Sequence, residues 1–134
     1  MIDPLNVPVV TDDELLTRFI VHRDHIRADG NVKPQLFVPY KWVELSVNRH
    51  REASLDETWS IGTQVAEQLG RTLIGRADIQ AIPCRIPPLE VVANPILGNP
   101  NHAEIVGYPP DKPDQMSLAA KLAASIQGQW IAAS

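Results

Sequence analysis

Two stretches of the chain carry apolar residues at helical spacing, and several others alternate apolar and polar positions in the manner of strands. In Ser54–Gly70, Leu55, Trp59, Gly62, Ala66 and Leu69 recur three or four positions apart, which places them on one face of a helix. Ser54 followed by Glu57 forms a capping box, Asp56 and Glu57 sit where the helix dipole favours anions, and Gly70 supplies a stop. The pattern predicts a helix over about 55–69. Leu118, Leu122 and Ile126 form the inner line of a second helix, predicted over about 113–127, with Pro113 suited to its first turn.

Val43, Leu45 and Val47 alternate with Glu44, Ser46 and Asn48, which predicts a half-buried strand over 42–48. Apolar runs predict further strands near 17–22, 71–82 (kinked at Gly75), 89–93 and 103–108, and an extended piece over 33–39. Thr11 and Glu14 match a second capping box, so one helical turn is expected before the first strand. Strands come in groups separated by helices. The expected class is therefore α+β, a single domain with a mixed or mostly antiparallel sheet and two main helices.

The 12 prolines are scattered through the 134 residues as stops between short elements. Pro4 and Pro8 mark residues 1–10 as an extended arm. The net charge of −4 argues against a dedicated duplex-DNA binder. Arginine nevertheless supplies 8 of the 12 basic residues, and its planar fork suits carboxylate and phosphate. The single cysteine, Cys84, allows no internal disulfide and fits a reducing cytoplasm. Neither a secretory pattern nor an apolar run long enough to span a membrane is present.

Complete catalytic motifs are absent. His22 and His25 flank Arg23 and Asp24, but zinc would need at least one more ligand. The His-Arg-Asp triplet matches that of kinase catalytic loops, yet the Gly-rich loop, the Asp-Phe-Gly motif and the length are missing. No motif calls for a metal or a cofactor. Cys84 without a placed base reads as a packing residue.

The strongest chemical candidates are Arg49, Arg76 and His102. If the strands at 42–48 and 71–82 pair, Arg49 and Arg76 could share a sheet face with Ser46 and Asp78 and hold an anion. His102, at the mouth of a strand, would then move a proton. The competing reading pairs Arg76 with Asp78 or Glu44 and implies no ligand. Trp42 and Trp130 are candidate partner contacts, since tryptophan is enriched in binding hot spots. The favoured expectation is a small cytoplasmic accessory protein, without enzymatic activity, that binds a protein partner in a larger assembly. The alternative is a small enzyme or ligand-binding domain for a phosphate-bearing substrate, nucleotide or RNA, acting through Arg49, Arg76 and His102.

Overall fold

The computed structural model describes residues 1–39 and 43–134. In chain order they form β1 (Leu15–Ile20), β2 (Leu45–Arg49), α1 (Leu55–Gln68), β3 (Gly75–Gln80), β4 (Glu90–Ala93), β5 (His102–Val106), α2 (Lys112–Ala124) and β6 (Ile131–Ala132). The six strands make one sheet in the order β4-β5-β2-β1-β3-β6, and every pairing is antiparallel. The fold is α+β in one compact domain. Among the described residues no helix is long and apolar enough to cross a membrane.

The two faces of the sheet differ in chemistry. Leu16, Ile20, Leu45, Val47, Ala77, Ile79, Val91, Ala103 and Ile105 point to one face and are buried in a single apolar cluster. Leu118, Ala119 and Leu122 of α2 cover that face together with Leu36 and Phe37. The opposite face carries Thr17, Phe19, Arg76 and Asp78, the alternate positions of β1 and β3. There α1 lies across Phe19. Gly62 permits the approach, since a Cβ at that position would stand 2.6 Å from the Phe19 ring.

Both helices form where the periodicity places them. In α1 the Ser54 hydroxyl accepts from the Glu57 N–H at 3.0 Å, and the Glu57 carboxylate accepts from the Ser54 N–H at 3.0 Å. In α2 Asp111 accepts from the Asp114 N–H at 3.3 Å, and Pro113 lies in the first turn. This helix ends at Ala124, earlier than expected. The chain leaves it because Ile126 and Gln127 join the outer edge of β3, where the Gln127 N–H donates to the Asp78 carbonyl at 2.7 Å.

Three further expectations are corrected. Residues 11–14 form a turn and no helix. Glu14 does accept the Thr11 N–H at 2.8 Å, but Arg49 also holds it, and the chain runs straight into β1. Within 33–39 the chain makes a 3-10 turn, Pro34–Phe37, in place of an extended piece. The neighbours Leu36 and Phe37 are both buried there, which an alternating strand would not allow. The strand expected over 71–82 spans only Gly75–Gln80 and is followed by a 3-10 turn, Ile82–Arg85. Gly75 begins it, in register with Ile20, and what its lack of a side chain permits is the close approach of the Ile131 carbonyl.

Candidate functional site

The polar face holds a cluster that begins with register. Thr17 pairs with Asn48 on one side and with Asp78 on the other, and Asn48 pairs with His102. The row His102–Asn48–Thr17–Asp78 therefore crosses four strands at one level of the sheet. Two positions along β3 from Asp78 lies Arg76, on the same face, and just beyond β2 lies His50.

Asp78 is the hub. Its Oδ1 accepts from the Thr17 hydroxyl at 2.7 Å and from Arg76 Nε at 3.2 Å, and lies 3.2 Å from His50 Nε2. His50 Nε2 also meets the Thr17 hydroxyl. Burial alone would raise the Asp78 pKa. The hydrogen bonds from His50 and Thr17, with the charges of His50 and Arg76, outweigh it and hold the carboxyl below the usual range. Because Asp78 and Thr17 both sit on Nε2, the trio is not a nucleophile relay, which needs carboxylate and hydroxyl on opposite ring nitrogens. The Arg76 guanidinium carbon lies 4.7 Å from the centre of the Trp59 ring on α1, within the range of a cation–π contact.

Arg49 does not join this cluster. It pairs with Leu16, whose side chain faces the apolar side, whereas Arg76 pairs with Phe19 on the polar side. Ser46 lies three positions from Arg49 and so points to the face opposite to it. The Arg49 side chain has no exposure and is used up internally. Nε and Nη2 donate to Glu14 at 2.7 and 2.8 Å, Nη1 donates to the Pro8 carbonyl at 2.7 Å, and Nη2 donates to the Val9 carbonyl at 3.1 Å. It clamps the N-terminal arm to the sheet.

His102 lies on the same face as Arg76 but three strands away, about 14 Å at the usual strand spacing. Its Nδ1 is 2.8 Å from the Asn94 carbonyl. Arg49, Arg76 and His102 thus do not converge, and the two arginines stand on opposite faces. His50, which the sequence reading passed over, is the imidazole beside Arg76. The signal for it was the alternation Ser46, Asn48, His50 continuing past the end of the strand, toward the polar Thr17 and Asp78 inside otherwise apolar strands.

Of the two tryptophan candidates, Trp42 lies outside the described residues. Trp130 is half-buried against the apolar cluster, its indole N–H 3.4 Å from the Arg27 carbonyl. It also lines an open groove with His22, Arg23, Arg71 and Leu73. The His22 and His25 rings are 4.8 Å apart. Among the described residues no group of three or more His, Cys, Asp or Glu side chains is placed to hold a metal. Cys84 is buried, and burial pushes its thiol up to about 12.

Among the described residues the three most exposed large apolar side chains, Leu97, Leu5 and Val9, belong to segments at the end of the sheet opposite that groove. The β4–β5 hairpin closes through Ile96 and Asn99, with Leu97 and Gly98 at its tip. Leu97 is fully exposed, and Ile96 is 50% exposed. Below the tip, Asn48 and Asn99 exchange amide hydrogen bonds at 3.2 and 2.9 Å. Asn101 accepts from the Ile2 N–H at 2.9 Å and donates to the carbonyls of Arg49 and Arg51 at 2.8 Å. Asn101 therefore ties the base of the hairpin to the N-terminal arm, on which Leu5 and Val9 are 88% and 78% exposed. No protein-family model matches the chain, and no curated protein or solved structure matches it either.

Proposed function

We propose that the protein is a non-enzymatic interaction domain that docks to a protein partner through the end of the sheet carrying the β4–β5 hairpin tip and the N-terminal arm. The observation that carries this reading is Leu97, fully exposed at the tip of a hairpin whose base is fastened by buried amides. Hairpin tips ordinarily carry polar turn residues. Here Pro95, Ile96 and Leu97 are all apolar and exposed, and Leu5 and Val9 rise from a segment tied to the same base. Buried amide pairs are costly to misplace, so they hold these apolar groups in a fixed arrangement. That order lowers the entropy lost on docking.

The alternative, a small enzyme or ligand-binding domain built on Arg49, Arg76 and His102 together, draws no support from the geometry: Arg49 is committed to Glu14 and the arm, and His102 is remote from Arg76. The test is a pull-down from the source cells with the tagged full chain, beside a Leu5→Asp/Leu97→Asp variant. The wild type should retain one partner protein in stoichiometric amount. The variant should lose it while its unfolding free energy in urea stays within about 0.5 kcal/mol of the wild type, as surface substitutions do. A wild type that emerges alone and monomeric, or a variant that keeps the partner, overturns the reading.

A further inference from the structure

Among the described residues Arg76 is the strand arginine with neither terminal nitrogen in a hydrogen bond. Its side chain is 6% exposed. Only Nε is engaged, donating to Asp78 at 3.2 and 3.4 Å. Among the described residues neither Nη1 nor Nη2 has a hydrogen-bond partner. The contrast with its counterparts is sharp. Arg49 and Arg85 each use Nε, Nη1 and Nη2 in hydrogen bonds within the protein.

A guanidinium carries five N–H donors, four of them on the two terminal nitrogens. The reason the fork is free lies in how Asp78 is used. Its Oδ1 already serves Thr17 and His50 and meets Arg76 along the Nε edge. The carboxylate thus engages the Nε edge and not the terminal nitrogens, and the Trp59 ring packs on the guanidinium from α1. Solvent still reaches it: among the described residues the only sealed side-chain polar atom without a partner is Gln115 Oε1. A planar fork held in place, largely desolvated and still reachable, has the geometry that pairs bidentately with two oxygens of one oxyanion.

We propose that the Arg76 fork is a binding site for a small oxyanion, the carboxylate or phosphate group of a ligand, with Asp78 and Trp59 as the positioning residues that hold the fork. The site is separate from the hairpin end and does not depend on the docking reading. Asp78 offsets the arginine charge, so a free anion binds weakly.

The experiment is an NMR titration of the full-length chain at constant ionic strength with inorganic phosphate, acetate and chloride. The Nε–H signal of Arg76 and the indole N–H of Trp59 are followed, with the Nε–H signals of Arg49 and Arg85 as internal controls. A saturable shift at Arg76 and Trp59 with phosphate or acetate, absent with chloride and absent at Arg49 and Arg85, is expected. Whether phosphate or acetate saturates first identifies the ligand group. Arg76→Lys keeps the charge and removes the fork, and should weaken binding at least tenfold. A linear shift at Arg76, an equal response to chloride, or equal shifts at Arg49 and Arg85 overturns the proposal. Because the wild-type titration carries its own controls, it decides the matter even if Arg76→Lys does not fold.

Discussion

Arg49 and Arg76 are both buried, both on strands, and both paired with a carboxylate, yet they stand on opposite faces of one sheet and do different work. Arg49 brings together parts of the chain far apart in sequence: β2, Glu14, and the carbonyls of Pro8 and Val9. Arg76 meets its carboxylate two residues along its own strand and leaves its fork open beside Trp59. A buried arginine that closes the fold and one that is merely held in it are told apart by where the terminal nitrogens go. Burial and the presence of an ion pair do not separate them.

The largest expected effect follows from the closed case. Arg49→Met should cost about 3–5 kcal/mol, because it strips the buried Glu14 carboxylate of its two-pronged partner and leaves only the part-exposed Arg51, 3.8 Å away. The two arm carbonyls lose their donors at the same time. Urea denaturation followed by tryptophan fluorescence measures the cost. Adding Glu14→Gln to the variant should recover part of it, since an uncompensated charge is worse than no pair. A cost below about 1 kcal/mol, the range of surface pairs, would mean that the clamp does not hold the arm.

On the polar face Asp78→Asn should cost about 1–3 kcal/mol, the range for a buried group deprived of its partner. It keeps the shape but withdraws the counter-charge from Arg76 and His50. Thr17→Val, which removes one neutral donor to Asp78, should cost about 1 kcal/mol. If the order of the two is reversed, Asp78 is not the hub of the cluster.

Both carboxylates also predict how stability varies with pH. For Glu14, burial alone would raise the pKa, but the Arg49 hydrogen bonds, the Thr11 N–H and the charges of Arg49 and Arg51 outweigh it and lower it. Asp78 is lowered as well. A group whose folded pKa is depressed gives its full stabilisation above its unfolded value, about 3.9 for Asp and 4.3 for Glu. That stabilisation is lost as pH falls through the folded value, because the unfolded chain takes up the proton first. Urea midpoints should therefore fall steadily below about pH 4.5. The slope should be shallower in Asp78→Asn. An unchanged slope would place the acid sensitivity on Glu14 and the other face.

The same pair of residues shows what could be read in the sequence. Helical spacing and capping residues located both helices, since these signals are local. Strand alternation and apolar runs located most of the sheet. The relative faces of Arg49 and Arg76 depend on register, which long-range pairing sets: Leu16 lies opposite Arg49, and Phe19 lies opposite Arg76. A shift of one residue would have put both arginines on one face. Parity within β2 alone already placed Arg49 opposite Ser46 and Asn48. Glu14 resembled a helix cap because its role as the Arg49 partner is visible only once the arm folds back. The two-residue β6 is too short to show a period.

The finest distinction concerns Trp59. Replacing it with Leu removes both packing and the stack on Arg76, so the single variant cannot separate them. A double-mutant cycle of Trp59→Leu with Arg76→Met isolates the stack, and a coupling of about 0.5–2 kcal/mol is expected for a cation–π contact with a largely desolvated guanidinium. The matching cycle of Trp59→Leu with Arg49→Met should give coupling within about 0.5 kcal/mol of zero, because the two side chains lie on opposite faces with the sheet between them. Equal coupling in the two cycles would show that the arginines communicate through the sheet. No coupling in the first would mean that Asp78 alone fixes the Arg76 plane, and that α1 is held on this face by Phe19 and Gly62.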